Sequence, residues 1–309
     1  MILFSNKTSC EEIICKLSKH SDFGNSCRLE NVIIDSQTNH SDIKIKSVDN
    51  QHVFFVDSTI KYLSTDFLKQ LKYIEYFNGN GIGLEKIDRN SLKVFNLLYG
   101  FWGGQNNLKK LKAKTFIDNP SLELLYLKFN RIEYVSPHAF SGLDNLIVMD
   151  LSSNRIKNLE HGTFHNLYKL FKLDISLNSI EYLEEDIFEH LQSLRQLILA
   201  KNNFKTINPH IFDPLVSLEY INMSFNKSPI EFIEGKLFKQ NKKLNQVLLI
   251  SNKIRSIDPQ FFHNKNENLK RISLRSNKCI NDDIEPVNGK LNDDFERTLQ
   301  LCFMNFKNQ

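Results

Sequence analysis

Residues 146–169 read LIVMDLSSNRIKNLEHGTFHNLYK, and the same pattern, LxxLxLxxNxIxxLxxxxFxxLxx, recurs every 24 residues along the chain. The first position of the pattern is occupied, at this constant spacing, by Leu98, Leu122, Leu146, Leu170, Leu194 and Leu218. The pattern continues back to Asn50 and forward to Leu269, which gives ten units. The last two full repeats carry small insertions, of two residues and of one. A fixed period of this length is typical of a solenoid, in which each unit packs on its neighbours.

Each position of the repeat has a separate structural task. Positions 4 and 6 are mostly apolar and flank one outward residue, so they predict one short strand per unit and one parallel sheet. Position 9 is Asn in seven consecutive units, from Asn106 to Asn252, and is Asn277 in the tenth. An amide both donates and accepts hydrogen bonds, so a stack of these side chains would pair the backbone groups of the turns. The first two units depart from this ladder with Ser58 and Ile82.

Position 19 predicts a second apolar seam behind the sheet. It is Phe in seven units, namely Phe116, Phe140, Phe164, Phe188, Phe212, Phe238 and Phe262. Stacked rings bury a large apolar area. We therefore assign these rings, like the inward strand residues, to the core and not to a functional site.

The reiterated motif resembles the typical 24-residue leucine-rich repeat of extracellular animal proteins such as Toll receptor ectodomains, Slit and chaoptin, over about residues 50–278. The resemblance implies an α/β solenoid, a horseshoe with short parallel concave strands, an Asn ladder, a Phe spine and cysteine-containing end caps. It also implies an insect-like secreted protein with an immune, adhesion or signalling role. We accordingly divide the chain into an N-terminal cysteine-containing cap (1–49), the repeats (50–278), and a C-terminal cap and tail (279–309).

The five cysteines lie only in the two caps. Because a solenoid exposes core at its ends, disulfide-closed caps are expected, and they indicate an oxidising compartment. We expect one bond between Cys15 and Cys27 and another between Cys279 and Cys302. Cys10 is then odd and either pairs between molecules or is a spare thiol. A zinc cluster of the N-terminal cysteines would lack a fourth ligand at a suitable spacing.

The caps also carry predicted secondary structure. The stretches RLENVIID (28–35) and DIKIKSV (42–48) alternate like strands, and we expect both to extend the sheet into the N-terminal cap. The stretch LNDDFERTLQLC (291–302) predicts a short amphipathic helix over the last turn, and residues 303–309 read as a frayed tail.

Composition and motifs argue against several functions. A net charge of +4 over 309 residues gives no support to a nucleic-acid or lipid-surface partner. No run approaches the roughly 18 apolar residues of a spanning helix, so we predict no membrane insertion; the opening MILFSNKTSC shows no full signal peptide. A Gly-rich phosphate loop, an HExxH motif and a serine elbow are all missing from the sequence. We therefore predict a non-catalytic protein without cofactor or metal.

The outward side chains of the predicted concave face are not needed for the core, so their chemistry indicates function. In the early units they form an aromatic cluster with the only Trp of the chain, and the residues we assign to ligand binding are Phe54, Tyr76, Tyr99, Trp102, Tyr126 and Lys128. Exposed aromatic side chains are frequent anchors of protein interfaces, so we expect a protein or glycan partner here. Local packing is the alternative, because Gly79 and Gly103 at position 6 leave holes that neighbouring aromatic rings could fill.

Four sequons, at Asn6, Asn39, Asn222 and Asn226, offer sites for N-linked glycans. Asn222 is at position 5, pointing outward, and we expect it to be modified in a secreted protein, as Asn6 and Asn39 would be. Asn226 is a ladder residue, so we expect it never to be modified.

The sequence thus favours an extracellular recognition module, secreted or associated with a surface, whose ligand and oligomeric state are open. Two alternatives remain, an intracellular leucine-rich repeat scaffold or regulator, and a fragment of a membrane receptor ectodomain.

Overall fold

The computed structural model describes residues 11–20, 24–34, 43–46, 51–227, 230–263, 267–286, 291 and 293–308. The chain forms two compact units, residues 1–155 and residues 156–309. Both units follow the same rule, in which each repeat contributes one short strand to a sheet and then returns through a turn and an irregular segment.

The first unit contains most of the strands of the described chain. They are β1 (Glu11–Ile14), β2 (Lys16–His20), β3 (Gly24–Glu30), β4 (Ile33–Ile34), β5 (Ile43–Lys46), β6 (His52–Val56), β7 (Thr59–Ile60), β8 (Tyr76–Asn78), β9 (Gly100–Trp102), β10 (Lys110–Leu111), β11 (Leu124–Tyr126), β12 (Tyr134–Val135) and β13 (Val148–Asp150). Its helices are single turns, α1 (Thr65–Leu68) and α2 (Arg89–Leu92), and a 3-10 turn covers Lys69–Leu71. In its main sheet β2 runs antiparallel to β3, and the order then continues in parallel through β6, β8, β9, β11 and β13.

The second unit repeats this plan. Its strands are β14 (Lys172–Asp174), β15 (Gln196–Ile198), β16 (Tyr220–Asn222), β17 (Phe232–Ile233), β18 (Gln246–Leu248), β19 (Ser256–Ile257), β20 (Arg271–Ser273) and β21 (Asp283–Ile284), and its helices are α3 (Gln260–His263) and α4 (Asp293–Lys307). Strands β14, β15, β16, β18 and β20 pair in parallel in that order, and β21 closes the edge antiparallel to β20.

The register of the parallel sheet follows the sequence repeat. Phe77 of β8 lies opposite Phe101 of β9, and Phe101 lies opposite Leu125 of β11, each 24 residues further along the chain. All three are fully buried, while the residues on either side of Leu125 in β11 are half-buried. Position 4 therefore faces the core and positions 3 and 5 face away from it, as the alternation predicts.

The Asn ladder predicted from position 9 is confirmed. The side-chain amide of Asn130 donates to the carbonyls of Gly103 (2.8 Å) and Leu127 (3.0 Å), and its oxygen accepts from the backbone N–H of Leu108 (3.1 Å). Asn130 therefore pairs backbone groups of its own repeat and of the repeat before it. Asn252 departs from this, because among the described residues its side chain only accepts hydrogen bonds, from Asn226 of the repeat before it.

The two departures from the ladder are compensated in different ways. The hydroxyl of Ser58 accepts from the backbone N–H of Val32 (3.0 Å) and donates to the carbonyl of Val56 (2.8 Å). At Ile82, which has no polar side chain, the backbone carbonyl itself accepts from the N–H of Ile60 (2.6 Å). The turns of the first repeats are thus paired without asparagine.

The Phe spine is also confirmed within each unit. Ring centroids lie 6.1 Å apart between Phe116 and Phe140, and 5.3 Å apart between Phe212 and Phe238. In the ninth repeat, Phe261 packs edge-on against Phe238 at 5.6 Å. The side chain of Phe262, which the repeat assigns to this seam, lies outside the described residues.

Two expectations for the caps were wrong. Only the first of the two stretches predicted to extend the sheet does so: β3 joins β6 in parallel, whereas β5 pairs with β1 in a separate two-stranded sheet. Residues 303–307 are not a frayed tail, because α4 continues to Lys307. The helix is held there by Phe303 and Phe306, whose rings lie 6.2 and 5.5 Å from that of Phe232.

The turn after each strand has one feature that the repeat pattern did not predict. Position 8 adopts left-handed backbone, with positive φ, in every repeat: Asp57, Gly81, Gln105, Phe129 and Ser153 in the first unit, and Leu177, Lys201, Phe225, Ser251 and Ser276 in the second. Bulky side chains rarely adopt this conformation. Phe129 does so while remaining 53% exposed, so its ring is not held there by burial.

Across the described residues, none of the helices has both the length and the apolar character that crossing a membrane requires.

Candidate functional site

Four aromatic rings form a continuous stack on the outward face of the first unit's sheet. His52, Tyr76, Trp102 and Tyr126 project from β6, β8, β9 and β11, and we call them the aromatic strip. Successive ring centroids lie 4.3 Å (His52–Tyr76), 6.0 Å (Tyr76–Trp102) and 5.6 Å (Trp102–Tyr126) apart, all in stacked orientation. Tyr99 joins the strip from the side, with its ring 5.3 Å from that of Tyr76.

Gly100 allows this continuity. A Cβ atom at Gly100 would lie 2.5 Å from Cζ3 of Trp102, 2.7 Å from its Cη2 and 3.0 Å from Cδ1 of Tyr76. Without a side chain at this position, the indole lies across its own strand and reaches the ring of the neighbouring repeat. Because Gly100, at position 3 of its repeat, has no side chain, the rings of Tyr76 and Trp102 can stack and form one continuous surface.

The holes left by Gly79 and Gly103 are filled from inside the protein. A Cβ at Gly79 would lie 2.5 Å from Cε1 of Phe77, and one at Gly103 would lie 2.6 Å from Cε1 of Phe101. These two buried rings stack on each other at 5.3 Å. The rings of the aromatic strip are not drawn into these holes, and Tyr76, Trp102 and Tyr126 stay half-buried on the outward face.

Burial and nearby carboxylates raise the pKa values of the tyrosines at the aromatic strip. A hydrogen bond with Glu123, then burial, raises the pKa of Tyr99 to about 12. Burial is the main cause that raises the pKa of Tyr76, with further contributions from Glu75 and Glu123. Burial also raises the pKa of Tyr126, helped by Asp150. At neutral pH the strip therefore offers aromatic faces and hydroxyl groups beside negative charges.

The structure brings together four of the six residues that the sequence assigns to ligand binding: Tyr76, Tyr99, Trp102 and Tyr126. Phe54 is half-buried in β6, but the register places the exposed Asn78 between it and Trp102. Lys128 is exposed in the turn after β11. His52 was missed by the sequence analysis, although it occupies position 3, the same position as Tyr76.

Two carboxylates on the outward face, those of Asp150 and Asp174, are engaged by serine residues of their own turns. The carboxylate of Asp150 accepts from the backbone N–H (2.9 Å) and the hydroxyl (2.6 Å) of Ser152, and Asp174 binds Ser176 with the same two distances. In the described part of the chain, His, Cys, Asp and Glu side chains do not gather into a group that could hold a metal ion. The arrangement can bind through aromatic faces and hydrogen bonds.

The cysteine pairs expected from the sequence are adjacent in the structure. Cys15 and Cys27 are disulfide-bonded with their Cα atoms 5.2 Å apart, as are Cys279 and Cys302 at 5.9 Å. Cys10 lies outside the described residues.

The sequons differ in their surroundings. Asn222 is half-buried at the end of β16, and its side-chain oxygen accepts from the N–H of Ser224 (3.0 Å). Asn226 is 3% exposed, and its amide is committed to the ladder with Asn252 and Met223. Asn6 and Asn39 lie outside the described residues.

The middle of the chain is similar to a known repeat family, and most of the chain is similar to solved structures. The family model described as "Leucine rich repeat" matches residues 104–156, 144–204 and 172–227. The APL1 leucine-rich repeat domain aligns with a TM-score of 0.68 at 20% identity, covering 86% of this chain and 65% of that chain. A chain from the octameric complex of Latrophilin 3 (Lec, Olf), Unc5D (Ig, Ig2, TSP1) and FLRT2 (LRR) aligns with a TM-score of 0.64 at 19% identity, covering 81% and 77%.

The protein thus spans slightly less than two thirds of the APL1 chain. No curated protein matches it by sequence. At these identities, the likeness to solved structures establishes the fold.

Proposed function

We propose that this leucine-rich repeat protein is a non-catalytic extracellular recognition module that binds another protein through the aromatic strip. The observation that carries the proposal is the stack of His52, Tyr76, Trp102 and Tyr126 on the outward face of the sheet. Core side chains fill the neighbouring holes, so the strip is not needed to complete the core. Half-buried aromatic side chains of this kind supply most of the binding free energy in many protein interfaces.

The charges around the strip favour a partner of a particular chemistry. Burial, together with the nearby Glu75, Glu123 and Asp150, raises the pKa values of Tyr76 and Tyr126, and a hydrogen bond with Glu123 raises that of Tyr99. A partner segment with apolar side chains for the rings and Lys or Arg side chains for the carboxylates fits this surface. The FLRT2 (LRR) component, which is found in a complex with Latrophilin 3 and Unc5D, supports a role in protein assembly.

An extracellular location is supported by the two cysteine pairs. One disulfide lies within the N-terminal cap and the other within the C-terminal cap, and disulfides persist in oxidising compartments. The location is tested by expressing the chain behind a secretion leader and counting free thiols by mass spectrometry. A protein that folds only in reducing cytosol, with free thiols at Cys279 and Cys302, would instead indicate the intracellular scaffold.

The binding proposal is tested with two matched double variants. Trp102→Ala with Tyr126→Ala shortens the strip, whereas Tyr73→Ala with Tyr182→Ala removes two exposed aromatic side chains outside it. The wild-type protein is used to isolate a surface or secreted protein that binds it, and the affinity of each variant for that protein is measured. We expect a loss of about 30-fold or more for the strip variant, equivalent to about 2 kcal/mol, and less than about threefold for the control.

Circular dichroism and thermal melting of both variants check the fold. An unfolded strip variant would support the packing alternative, and unchanged affinity of a folded one would place the partner on another surface.

A further inference from the structure

The first unit carries a second surface, formed by the chain after it leaves the sheet. A groove of about 590 Å³ is lined there by Lys86, Lys109, Lys110, Lys112, Arg131 and Glu85. We call this the basic groove. Its five cations face one carboxylate, so its local charge is far more positive than the net charge of +4 over the whole chain implies.

Most of the cations of the groove are unpaired. Lys86 forms an ion pair with Asp88 at 2.6 Å, but within the described structure Lys109, Lys110, Lys112 and Arg131 form none. Glu85, the carboxylate of the groove, accepts from the hydroxyl of Tyr62 at 3.0 Å. Among the described residues, four cations of the groove thus have no ion-pair partner, and Glu85 is the one carboxylate that lines it.

An ion pair between neighbouring repeats does form at position 12 of the repeat in the second unit. In the second unit, Lys205 at position 12 pairs with Glu181 at position 12 of the neighbouring repeat. Lys109 also occupies position 12, between Glu85 and Glu133 of its neighbours. However, Glu85 binds Tyr62, and Glu133 pairs with Arg155 at 3.6 Å, so both carboxylates are engaged away from Lys109.

We infer that the basic groove binds a sulfated polysaccharide. Cations confined to one groove repel each other, and a ligand with repeated anionic groups removes that repulsion while releasing its own counterions. Sulfate groups are fully charged anions and match lysine and arginine donors. Nucleic acid is disfavoured because single-stranded bases need aromatic platforms, and the groove offers only Tyr62, whose hydroxyl is bound to Glu85.

The groove and the aromatic strip are distinct surfaces of the same unit. The polysaccharide site therefore adds a second ligand to the proposed protein partner and does not depend on it. A strip variant that keeps full polysaccharide binding would separate the two proposals experimentally.

The test uses the full chain and heparin as the sulfated probe. Lys109→Gln, Lys110→Gln and Lys112→Gln are combined in one variant, and Lys236→Gln, Lys239→Gln and Lys243→Gln are combined in a control with the same change in charge. The control lysines are also exposed and form no ion pair in the described structure. Affinity is measured by calorimetry at several salt concentrations, with desulfated heparin and single-stranded DNA as further ligands.

We expect the groove variant to bind heparin about tenfold more weakly or worse, with a shallower salt dependence, and the control to stay within about twofold. Trp102→Ala with Tyr126→Ala should leave heparin binding unchanged. Equal losses in both lysine variants would show that any surface charge suffices and would overturn the inference. Undiminished binding of desulfated heparin, or tighter binding of DNA, would overturn it as well, as would failure of the wild-type protein to bind heparin.

Discussion

Trp102 can lie across its strand only because the residue two positions before it has no side chain. A Cβ at Gly100 would lie 2.5 Å from the indole, whereas the backbone there has no positive φ that would itself require glycine. The role of Gly100 is therefore spatial. The repeat pattern treats position 3 as a generic outward position, so it predicted the aromatic side chains but neither their stacking nor the inclusion of His52.

Gly100→Val should displace the indole of Trp102 from Tyr76 while leaving the sheet intact. The added side chain meets a ring that can swing outward, so we expect a loss of stability below about 1.5 kcal/mol. Because the chain has a single Trp, its fluorescence reports this residue directly, and we expect a red shift and stronger quenching by acrylamide.

Gly103→Ala provides the contrasting case, because its Cβ would meet Phe101 of the core at 2.6 Å. We expect that variant to lower the melting temperature with a smaller change in emission. An unchanged Trp102 spectrum in Gly100→Val would contradict the stacking arrangement.

The repeat pattern predicts the strands and turns well, because the residue type at each position indicates directly whether that side chain is buried or hydrogen-bonded. Position 4 is buried and position 9 pairs the turn wherever it is Asn, so the strands and the ladder followed from the sequence. Where a repeat departs from the pattern, the backbone supplies other partners, such as the carbonyl of Ile82, which no side-chain pattern predicts. The left-handed turn at position 8 was missed because residues as different as Phe129 and Ser153 occupy it.

Asn130→Ala should destabilise the protein by about 3 kcal/mol or more, since it leaves the buried carbonyls of Gly103 and Leu127 and the N–H of Leu108 without their partner. Asn96→Ala, at an exposed position, is the matched control and should change stability by less than about 0.5 kcal/mol. Urea unfolding of both variants measures the difference. Equal stabilities would mean that the ladder contributes nothing beyond an ordinary surface amide.

The C-terminal helix gives a second prediction at this scale. Phe306 stacks on Phe232 and also lies 5.6 Å below the guanidinium of Arg255, while Met304 on the same helix is 56% exposed. Phe306→Ala should therefore cost about 1–2 kcal/mol and Met304→Ala almost nothing. A hydrogen-exchange comparison of α4 in the two variants checks this. The sequence pattern predicted a frayed tail here because Phe303 and Phe306 lie beyond the last repeat. The 24-residue spacing therefore does not predict that they pack against Phe232.

For the molecule as a whole, the two cysteine pairs support the proposed secretion, and the aromatic strip and the basic groove support the proposed binding. The sequence identified the aromatic region but not the basic groove, because Lys86, Lys109 and Arg131 come from three different repeats. The sequence alone would allow Glu85 and Glu133 to pair with Lys109. In the structure, Glu85 binds Tyr62 and Glu133 pairs with Arg155, so Lys109 has no ion-pair partner among the described residues.

Glycan mapping of the secreted protein tests its compartment and register together. We expect a glycan at Asn222, which lies on the outward face at the end of β16, and none at Asn226, whose amide is buried in the ladder. Peptide mass analysis with and without glycosidase measures both sites. A glycan at Asn226 would contradict the repeat register, and an unmodified Asn222 would leave that part of the sheet open to a ligand.

If a protein partner covers the aromatic strip, the surroundings of Trp102 must change when that partner binds. Labelling with 5-fluorotryptophan gives a single fluorine site, because the chain contains one Trp. When the protein partner isolated with the wild-type chain is titrated in, we predict that the ¹⁹F resonance of Trp102 shifts or broadens in proportion to complex formation, whereas heparin leaves it unchanged. A complex that is detected by sedimentation while the Trp102 resonance stays the same would show that the partner does not cover the aromatic strip.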